Sequence, residues 1–576
     1  MDQSPSDRAR DVNRRRVAVS SVALLAMSLV ACGGGGSGSS GAPAPVSSAP
    51  APGPGPAPAP TSVADATRLV DQATFGPNDA TIAAVVSAGA AAWVDAQLAQ
   101  PSTGYAVMPY IDPNSAVGCP TGSAPTCVRD NYTAFPVQLQ FFRNAMTAQD
   151  QLRQRVAFAW SQIFVTSAID IRAAYGLREY HQMLLDNAFG NYRTLLERVT
   201  LSPVMGDYLD MVNNDKPNAA RGTQANENYA REVLQLFSIG LSKLNADGTA
   251  QRDGNGVPIP SYDQTTVQGF ARAFTGWTYA SRAGTSQWTN PKNYLGDMVP
   301  FDAHHDTATK TLLDGASLPA SQTARADLTA ALDNIFAHPN VGTFIGRQMI
   351  QFLVTSNPSP AYVARITAVF DDNGSGVRGD MKAVIRAILL DSEARGDAKT
   401  EPAYGKLRDP ALFAVGVARA FNASSDGVYL NAQSASMGES VFTAPSVFSF
   451  FPPDYALPNS DTLQGPQFGV QNTTTTIARF NYVNAMLYSA NGIAADPSVP
   501  GSTGTRTDLT GLQALAATPS ALVDKLAATM THDTMTASEK SAIVTAVSAI
   551  AATDALGRAR SAAYLVASSP RYQITR

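Results

Sequence analysis

The chain has 576 residues, of which 44% are hydrophobic and 15% are charged, and its formal net charge is −4. This length is ample for a large hydrophobic core. The mild acidity and the lack of a basic block argue against nucleic acid and anionic lipid head groups as partners.

The N-terminus carries the first informative pattern. A basic cluster, Arg14-Arg15-Arg16, precedes an apolar run at 17–31 that ends immediately before Cys32. The run is shorter than the roughly 20 apolar residues of a membrane-spanning helix, so it is typical of a signal peptide. The order Leu29-Val30-Ala31-Cys32 resembles a bacterial lipobox, which implies cleavage before Cys32 and lipid attachment to this residue. A plain secretory signal, the alternative, would leave Cys32 as an unpaired extracellular thiol.

The residues after the cysteine predict the membrane to which the protein is anchored and the length of its linker. Gly33 stands where an Asp would favour inner-membrane retention, so the resemblance implies an outer-membrane lipoprotein of a Gram-negative bacterium. Residues 32–62 form an uncharged linker, rich first in Gly and Ser and then in Ala and Pro. This composition cannot bury enough apolar surface to fold. Extended, the linker spans on the order of 60–90 Å, which predicts a tether for the remaining chain.

Two further cysteines, Cys119 and Cys127, flank a segment rich in Pro, Gly, Ser and Thr. In the oxidising compartment that a signal peptide implies, this spacing favours a disulfide that closes a short surface loop. The alternative is a metal site with two thiolate ligands, which would need two further ligands that the neighbouring sequence lacks.

Helical spacing of apolar residues dominates the chain from 63 to 395. The predicted helices are 65–72, 80–97, 138–161, 175–187, 191–200, 226–239, 265–276, 324–336, 341–354, 360–371 and 381–390. Dense turn residues predict one small β-hairpin at 244–260. After residue 396 the sequence is less regular, and helices follow at 520–530, 538–552 and 556–568. The expected fold class is mainly α, with one large multi-helix domain at 63–576 and a small β-hairpin insertion.

Several short motifs occur in order along this body. They include Ala73-Thr74-Phe75-Gly76-Pro77, Asn226-Glu227-Asn228-Tyr229-Ala230-Arg231-Glu232, Phe274-Thr275-Gly276-Trp277, His305-Asp306, Ala444-Pro445-Ser446-Val447-Phe448 and Ser569-Pro570-Arg571-Tyr572-Gln573. Together they resemble the domain-of-unknown-function family DUF1800 of secreted bacterial proteins. The resemblance implies no specific activity. Members of that family often adjoin genes for a second secreted family, DUF1501, which resembles sulfatases, so a secreted sulfatase-like protein is an expected partner.

One segment departs from the family pattern. Many members carry Trp-His-Asn-His-Phe where this chain has Trp160-Ser161-Gln162-Ile163-Phe164. If those histidines bind a metal or transfer protons in relatives, this protein has either lost that chemistry or performs it with other residues. The sequence therefore leaves the metal and cofactor requirement of this protein unknown.

The predicted helix at 226–239 carries the first group of candidate site residues. At about 3.6 residues per turn, Arg231 and Glu232 fall on a polar face that lies opposite an apolar one. Glu227 and Arg231 are four residues apart, a spacing that favours an ion pair. One interpretation is a solvated face of an amphipathic helix. The other is a polar stripe that lines a pocket, with Glu227 or Glu232 as general base or metal ligand.

The second candidate group is His304-His305-Asp306, with Lys310 shortly after it. Neighbouring side chains in an extended chain point in opposite directions, so one of the two histidines is expected to face any given site. His305 and Asp306 could supply an acid–base pair or half of a metal site. The alternative is a loop histidine that is hydrogen-bonded to an aspartate.

Two functions remain open at this stage. The first is a tethered accessory or binding protein that works with a secreted partner, which the linker and the absence of nucleophile motifs favour. The alternative is an extracytoplasmic hydrolase-like enzyme that uses Glu227, Arg231, Glu232, His305 and Asp306. Convergence of the two candidate groups in one concave site would favour the enzyme, and their separation would favour the binding protein.

Overall fold

The computed structural model describes residues 61–576, except 283, 285, 286, 397, 398, 400 and 461. The predicted signal peptide, the predicted lipidation site Cys32 and residues 33–60 of the linker lie outside the described residues. The described residues belong to one compact unit that is mainly α-helical, so the predicted fold class is confirmed.

The helices are numbered here in chain order. They are α1 (Val63–Ala73), α2 (Asp79–Ala88), α3 (Ala90–Ala99), α4 (Ser115–Gly118), α5 (Cys127–Tyr132), α6 (Phe135–Thr147), α7 (Gln151–Ile163), α8 (Ala174–Asp186), α9 (Tyr192–Leu201), α10 (Pro203–Tyr208), α11 (Asn228–Gln235), α12 (Gln264–Ala273), α13 (Ala324–Ala337), α14 (Asn340–Leu353), α15 (Pro360–Asp371), α16 (Met381–Leu390), α17 (Pro410–Ala420), α18 (Val428–Ser436), α19 (Thr473–Tyr488), α20 (Thr510–Gln513), α21 (Pro519–Met530), α22 (Ala537–Ser548), α23 (Ala555–Ala567) and α24 (Pro570–Gln573).

Short antiparallel strand pairs connect some of these helices. They are β1 (Trp277–Thr278) with β2 (Val299–Pro300), β3 (Lys310–Thr311) with β4 (Ser317–Leu318), β5 (Lys406–Leu407) with β8 (Ile574–Thr575), and β6 (Ser424–Ser425) with β7 (Thr505–Arg506). The predicted hairpin segment contains two consecutive turns rather than one. Three backbone hydrogen bonds join its chain segments. The N–H of Gln251 donates to the carbonyl oxygen of Lys243, that of Ile259 donates to Gln251, and that of Lys243 donates to Ile259.

Two predicted long helices are each divided in the structure. The predicted helix at 80–97 is interrupted by Gly89, whose φ of 82° and ψ of 152° are not helical. The predicted helix at 138–161 is interrupted before α7 by Asp150, whose ψ is 46°. No single helix among the described residues is long and apolar enough to cross a membrane, and α2 with α3 reaches that length only as a pair bent by 113°.

α17 lies in the part of the chain where the sequence predicted no regular element. Every residue from Pro410 to Arg419 is buried, so the helix shows no amphipathic period. Asp409 caps it by accepting a hydrogen bond from the backbone N–H of Leu412 at 2.8 Å. The expectation of an irregular stretch is wrong here because a central helix has no solvent-facing side to make its period visible.

A buried ion pair joins α1 to the segment that follows α16 and to α24. Arg408 donates hydrogen bonds at 2.7 Å to both carboxylate oxygens of Asp71, and a third, also at 2.7 Å, to the backbone oxygen of Tyr572. The Arg408 and Asp71 side chains are 4% and 0% exposed. Although burial opposes ionisation, the Arg408 guanidinium holds the pKa of Asp71 well below its usual range. This charged contact therefore links the first helix to α24.

Close backbone packing explains the glycine of the Phe75-Gly76-Pro77 motif. Gly76 adopts a φ of +134°, and a Cβ atom there would lie 2.5 Å from the Cα of Gly416 in α17. A Cβ on Gly416 would in turn lie 2.9 Å from the Tyr572 hydroxyl oxygen. Neither position has room for a side chain, so both glycines are needed for the loop after α1 to cross α17.

The structure joins Cys119 to Cys127 by a disulfide, with Cα atoms 5.9 Å apart. The bridge closes a short loop between α4 and the first residue of α5. Arg129 in α5 donates hydrogen bonds at 3.0 Å to the side-chain oxygen and to the backbone oxygen of Ser498. The bridged segment therefore packs on a loop that lies far away in sequence.

Removal of the Asp71 charge should destabilise the fold strongly. The substitution Asp71→Asn leaves the buried Arg408 guanidinium without a counter-charge, and the expected loss is about 3–5 kcal/mol of unfolding free energy. Urea unfolding followed by tryptophan fluorescence measures it. Asp95→Asn is the matched control, since Asp95 pairs with Arg386 at the surface and its loss should cost less than about 1 kcal/mol. Equal losses in the two variants would contradict this role of the pair.

Candidate functional site

The first candidate group lies where α11 begins. The Arg231 guanidinium and the Glu227 carboxylate form the ion pair expected from their spacing, at 2.8 Å. Gln264, the first residue of α12, donates to the same Glu227 oxygen at 2.7 Å. α11 begins at Asn228 rather than at Asn226, because the Asn226 side chain accepts a hydrogen bond from the backbone N–H of Asn228. Both charged side chains remain partly exposed, so this end of α11 is a solvated polar face.

Glu232 differs from its neighbours because it has no counter-ion within salt-bridge distance among the described residues. Its Oε2 atom is buried and lacks a hydrogen-bond partner in the same part of the chain, and so does the hydroxyl of Tyr262. Burial raises the pKa of Glu232 above its usual value, and the Arg231 charge opposes this only in part. Among the described candidate carboxylates, Glu232 is therefore the one with a buried oxygen that has no hydrogen-bond partner.

His305 of the second group lies inside the protein, and both of its ring nitrogens have hydrogen-bond partners. Its Nε2 atom is 3.0 Å from Oδ2 of Asp327 in α13, and its Nδ1 atom is 3.0 Å from the backbone oxygen of Thr275. Lys310 donates to the same Asp327 oxygen at 2.6 Å and to two backbone oxygens. The side chains of His305, Lys310 and Asp327 are all buried. Since neither imidazole nitrogen is free, His305 has no atom available for a metal or a substrate proton.

The glycine of the Phe274-Thr275-Gly276-Trp277 motif makes room for this buried histidine. Gly276 has a φ of +83°, and a Cβ atom there would lie 2.9 Å from the Cβ of His305. The Thr275 hydroxyl accepts a hydrogen bond from the backbone N–H of Asp306 at 2.9 Å. This motif therefore packs against the segment that contains His305 and fixes its position by a hydrogen bond.

Asp306 and His304 point to other partners. Asp306 pairs with Arg272, near the end of α12, through two contacts at 2.6 and 3.1 Å. Burial opposes ionisation of Asp306, but the Arg272 guanidinium lowers the pKa of this carboxyl below its usual range. His304 lies 3.0 Å from Asp215 and stacks on Trp288, with ring centroids 4.1 Å apart. The two neighbouring histidines thus face different surroundings.

The two candidate groups contact opposite ends of the same helix. Glu227 and Arg231 contact Gln264 at the start of α12, whereas Asp306 contacts Arg272 eight residues later. At 1.5 Å per residue, these contacts are about 12 Å apart along the helix axis. Within the described residues, no group of three or more His, Cys, Asp or Glu side chains is arranged to hold a metal ion. The structure therefore does not bring the predicted site residues together.

The segment that replaces the family's histidine pair lies in the core. The indole nitrogen of Trp160 donates to the backbone oxygen of Ala188 at 3.2 Å, and the Ser161 hydroxyl donates to the oxygen of Phe158 at 2.8 Å. Gln162 is buried, and both atoms of its amide lack partners among the described residues. None of these side chains is a common metal ligand, so this segment adds no metal site.

A groove of about 810 Å³ lies at the C-terminal end of α11, the helix that contains Glu232. Its walls come from the end of α11 and the turn after it, from the predicted hairpin segment, from α14 and from residues 446–454. Gln235, one helical turn after Glu232, is one of the lining residues. The sequence analysis missed this groove because its walls come from segments up to about 200 residues apart. The Ala444–Phe448 motif contributes Ser446 and Phe448 to one wall, but the sequence analysis assigned it no site.

The body is thus a large α-helical protein with a buried histidine–aspartate–lysine centre and a separate open groove. The family model described as "Protein of unknown function (DUF1800)" matches residues 68–574, so the chain belongs to this family. Comparison with curated proteins finds no match, and comparison with solved structures also finds none.

The buried centre should respond to mutation as a structural element. Lys310→Met removes the cation from the fully buried Asp327, and the expected loss is about 3–5 kcal/mol of unfolding free energy, measured in urea. Arg231→Met is the control, because its pair with Glu227 is partly exposed and should contribute less than about 1 kcal/mol. A Lys310→Met protein as stable as the wild type would rule out this structural role.

Proposed function

We propose that this protein is a lipid-anchored, extracytoplasmic binding protein whose ligand site is the groove between α11, α14 and residues 446–454. The lipobox-like sequence before Cys32 and the uncharged linker support the anchor and the tether. One observation carries the binding function: the groove exposes Leu241 and Phe448, which are 60% and 41% accessible, on its apolar walls. Exposed apolar side chains that meet in a concavity are typical of binding sites.

The positions of the family motifs support the same site. Ser446 and Phe448, from the Ala444–Phe448 motif, line the groove directly. The motif at 226–232 begins the helix whose last residue, Gln235, lines it too. By contrast, the motif around Thr275 forms a hydrogen bond with the buried His305. The family features thus divide into a group that supports the core and a group that surrounds the groove.

The ligand we propose is part of a secreted partner protein, and the sulfatase-like DUF1501 family is the partner class that the family resemblance suggests. An outer-membrane anchor would hold the body within reach of such a partner. Nucleic acid is not proposed, because the chain is mildly acidic and has no basic block.

A fluorescent dye that binds apolar surfaces should report the groove. We expect anilinonaphthalene sulfonate to bind the residue 61–576 body with a saturable rise in fluorescence. Leu241→Glu, which places a charge on the apolar wall, should weaken this binding at least about tenfold. Ile477→Glu is the matched control, because Ile477 is a similarly exposed apolar residue of α19 that is not in the groove. Equal dye binding by the two variants, both folded by circular dichroism, would contradict the proposed site.

The second candidate function is a hydrolase-like reaction at Glu232, and one observation favours it. Glu232 has a buried oxygen without a partner among the described residues and lies on the helix whose last residue lines the groove, and burial raises its pKa, as is common for a general acid or base. The other proposed catalytic residues do not help it, because His305 and Asp306 are bound to Asp327 and Arg272.

The Glu232 carboxyl should make stability depend on pH. Because its pKa is raised in the folded state, the folded protein holds this proton at pH values where the unfolded chain has released it. Stability from this group is therefore present below about pH 4.5 and is lost as the pH rises through the folded pKa. Urea midpoints between pH 4 and 8 should show Glu232→Gln gaining stability relative to wild type as the pH rises. Glu227→Gln should show no such gain, and parallel profiles for wild type and Glu232→Gln would refute a raised pKa.

A further inference from the structure

The groove contains hydrogen-bonding groups that the fold leaves unused. Gln348 in α14 lines the groove and is only 6% exposed, and its Nε2 atom has no partner among the described residues. A buried amide donor without a partner costs free energy, so such groups usually receive a ligand or an ordered water. Gln351 and Gln464, on the same surface, are instead bonded to each other at 3.0 Å. The unused donor is therefore specific to Gln348 rather than common to every amide of the groove.

Arg347, next to Gln348, supplies a positive charge. Its guanidinium donates to Oε1 of Gln464 at 3.0 Å, and among the described residues no carboxylate lies within 4.0 Å of it. Asp454 lines the same groove and attracts this charge from beyond ion-pair distance. Burial lowers the pKa of Arg347, although Asp454 opposes this change. A guanidinium that is mostly enclosed and lacks a carboxylate partner is well suited to bind one from a ligand.

We propose that the groove binds an extended peptide segment of a partner protein, with apolar side chains on the Leu241 and Phe448 walls and a carboxylate on Arg347. This inference rests on the binding function proposed above and assigns its ligand class. The arrangement favours a peptide over an acyl chain. A peptide brings backbone C=O and N–H groups that can pair with Gln348, Ser446 and Asp454, whereas an acyl chain would cover these polar groups without pairing them. Extended peptides commonly use such a combination of side-chain pockets and polar contacts.

A defined peptide library tests this ligand class. The probe is a soluble set of N-acetylated octapeptides built from Leu, Phe, Ser and Gly, each made with a free C-terminal carboxylate and with a C-terminal amide. The residue 61–576 body is incubated with the set, and retained peptides are identified by mass spectrometry. We expect the wild type to enrich the acids at least about fivefold over the matching amides, because only the acid can pair with Arg347.

The variants locate the contact. Arg347→Met should reduce the acid-to-amide preference to about one, because the variant has no guanidinium to pair with the peptide carboxylate. It should still retain apolar peptides, because the apolar walls are unchanged. Arg365→Met is the control, because Arg365 lies on α15, is bound to Asp391 and does not line the groove, so the preference should persist. An acid preference that survives Arg347→Met would overturn the proposal.

Failure of the peptide assignment can be separated from failure of the groove function. If the body binds anilinonaphthalene sulfonate in a manner that depends on Leu241 but enriches no peptide, the groove stands and the peptide class is overturned. If lauric acid displaces the dye while no peptide competes, the ligand is an acyl chain and the proposal is likewise overturned. If neither the dye nor any peptide binds, the binding function itself fails.

Discussion

The ion pair between Arg408 and Asp71 is the contact on which the rest of the fold depends. It joins residues 337 positions apart in sequence, and the same guanidinium holds the backbone at Tyr572. A buried pair is expensive to desolvate and stabilises a fold only when its remaining hydrogen bonds are made. Arg479 adds to the network by donating to the backbone oxygen of Arg408 at 2.8 Å. The first helix, α19 and α24 therefore meet around charge rather than around an entirely apolar core.

The surrounding groups show how the interior tolerates that charge. Burial lowers the pKa of Lys406 to about 7, and burial together with the nearby Asp409 raises the pKa of Glu439 well above its usual value. Both shifts favour the neutral forms, so fewer net charges are enclosed. The Arg408–Asp71 pair can thus remain ionised beside neighbours that shed part of their charge.

Hydrogen-bond pairing distinguishes the buried His305 and Lys310 from Gln348 beside the groove. His305 has both nitrogens engaged, and Lys310 directs its ammonium group to three oxygens. Gln348 beside the groove has a donor without a partner among the described residues, and Glu232 of α11 has an acceptor in the same condition. Other buried atoms without a partner in the described part of the chain, such as those of the Gln162 amide, lie in the core, so an unused hydrogen-bonding group indicates a ligand site only where it also lines a cavity, as Gln348 does. This contrast favours the groove, rather than the histidine segment, as the place where the protein meets other molecules.

The sequence by itself determined the family, the mainly α-helical class, and the local spacings that place Arg231 four residues after Glu227 and Cys119 close to Cys127. These features depend on neighbours within a few residues, which a sequence displays directly. It predicted no helix at α17, because a helix buried on all sides has no period, and it did not predict the break at Gly89. Only the tertiary structure decided that His305 faces inward to Asp327 and that Gln235, Arg347 and Phe448 line one groove. The physical reason is that residue spacing reveals which face of a helix is apolar but not which distant segment will cover that face.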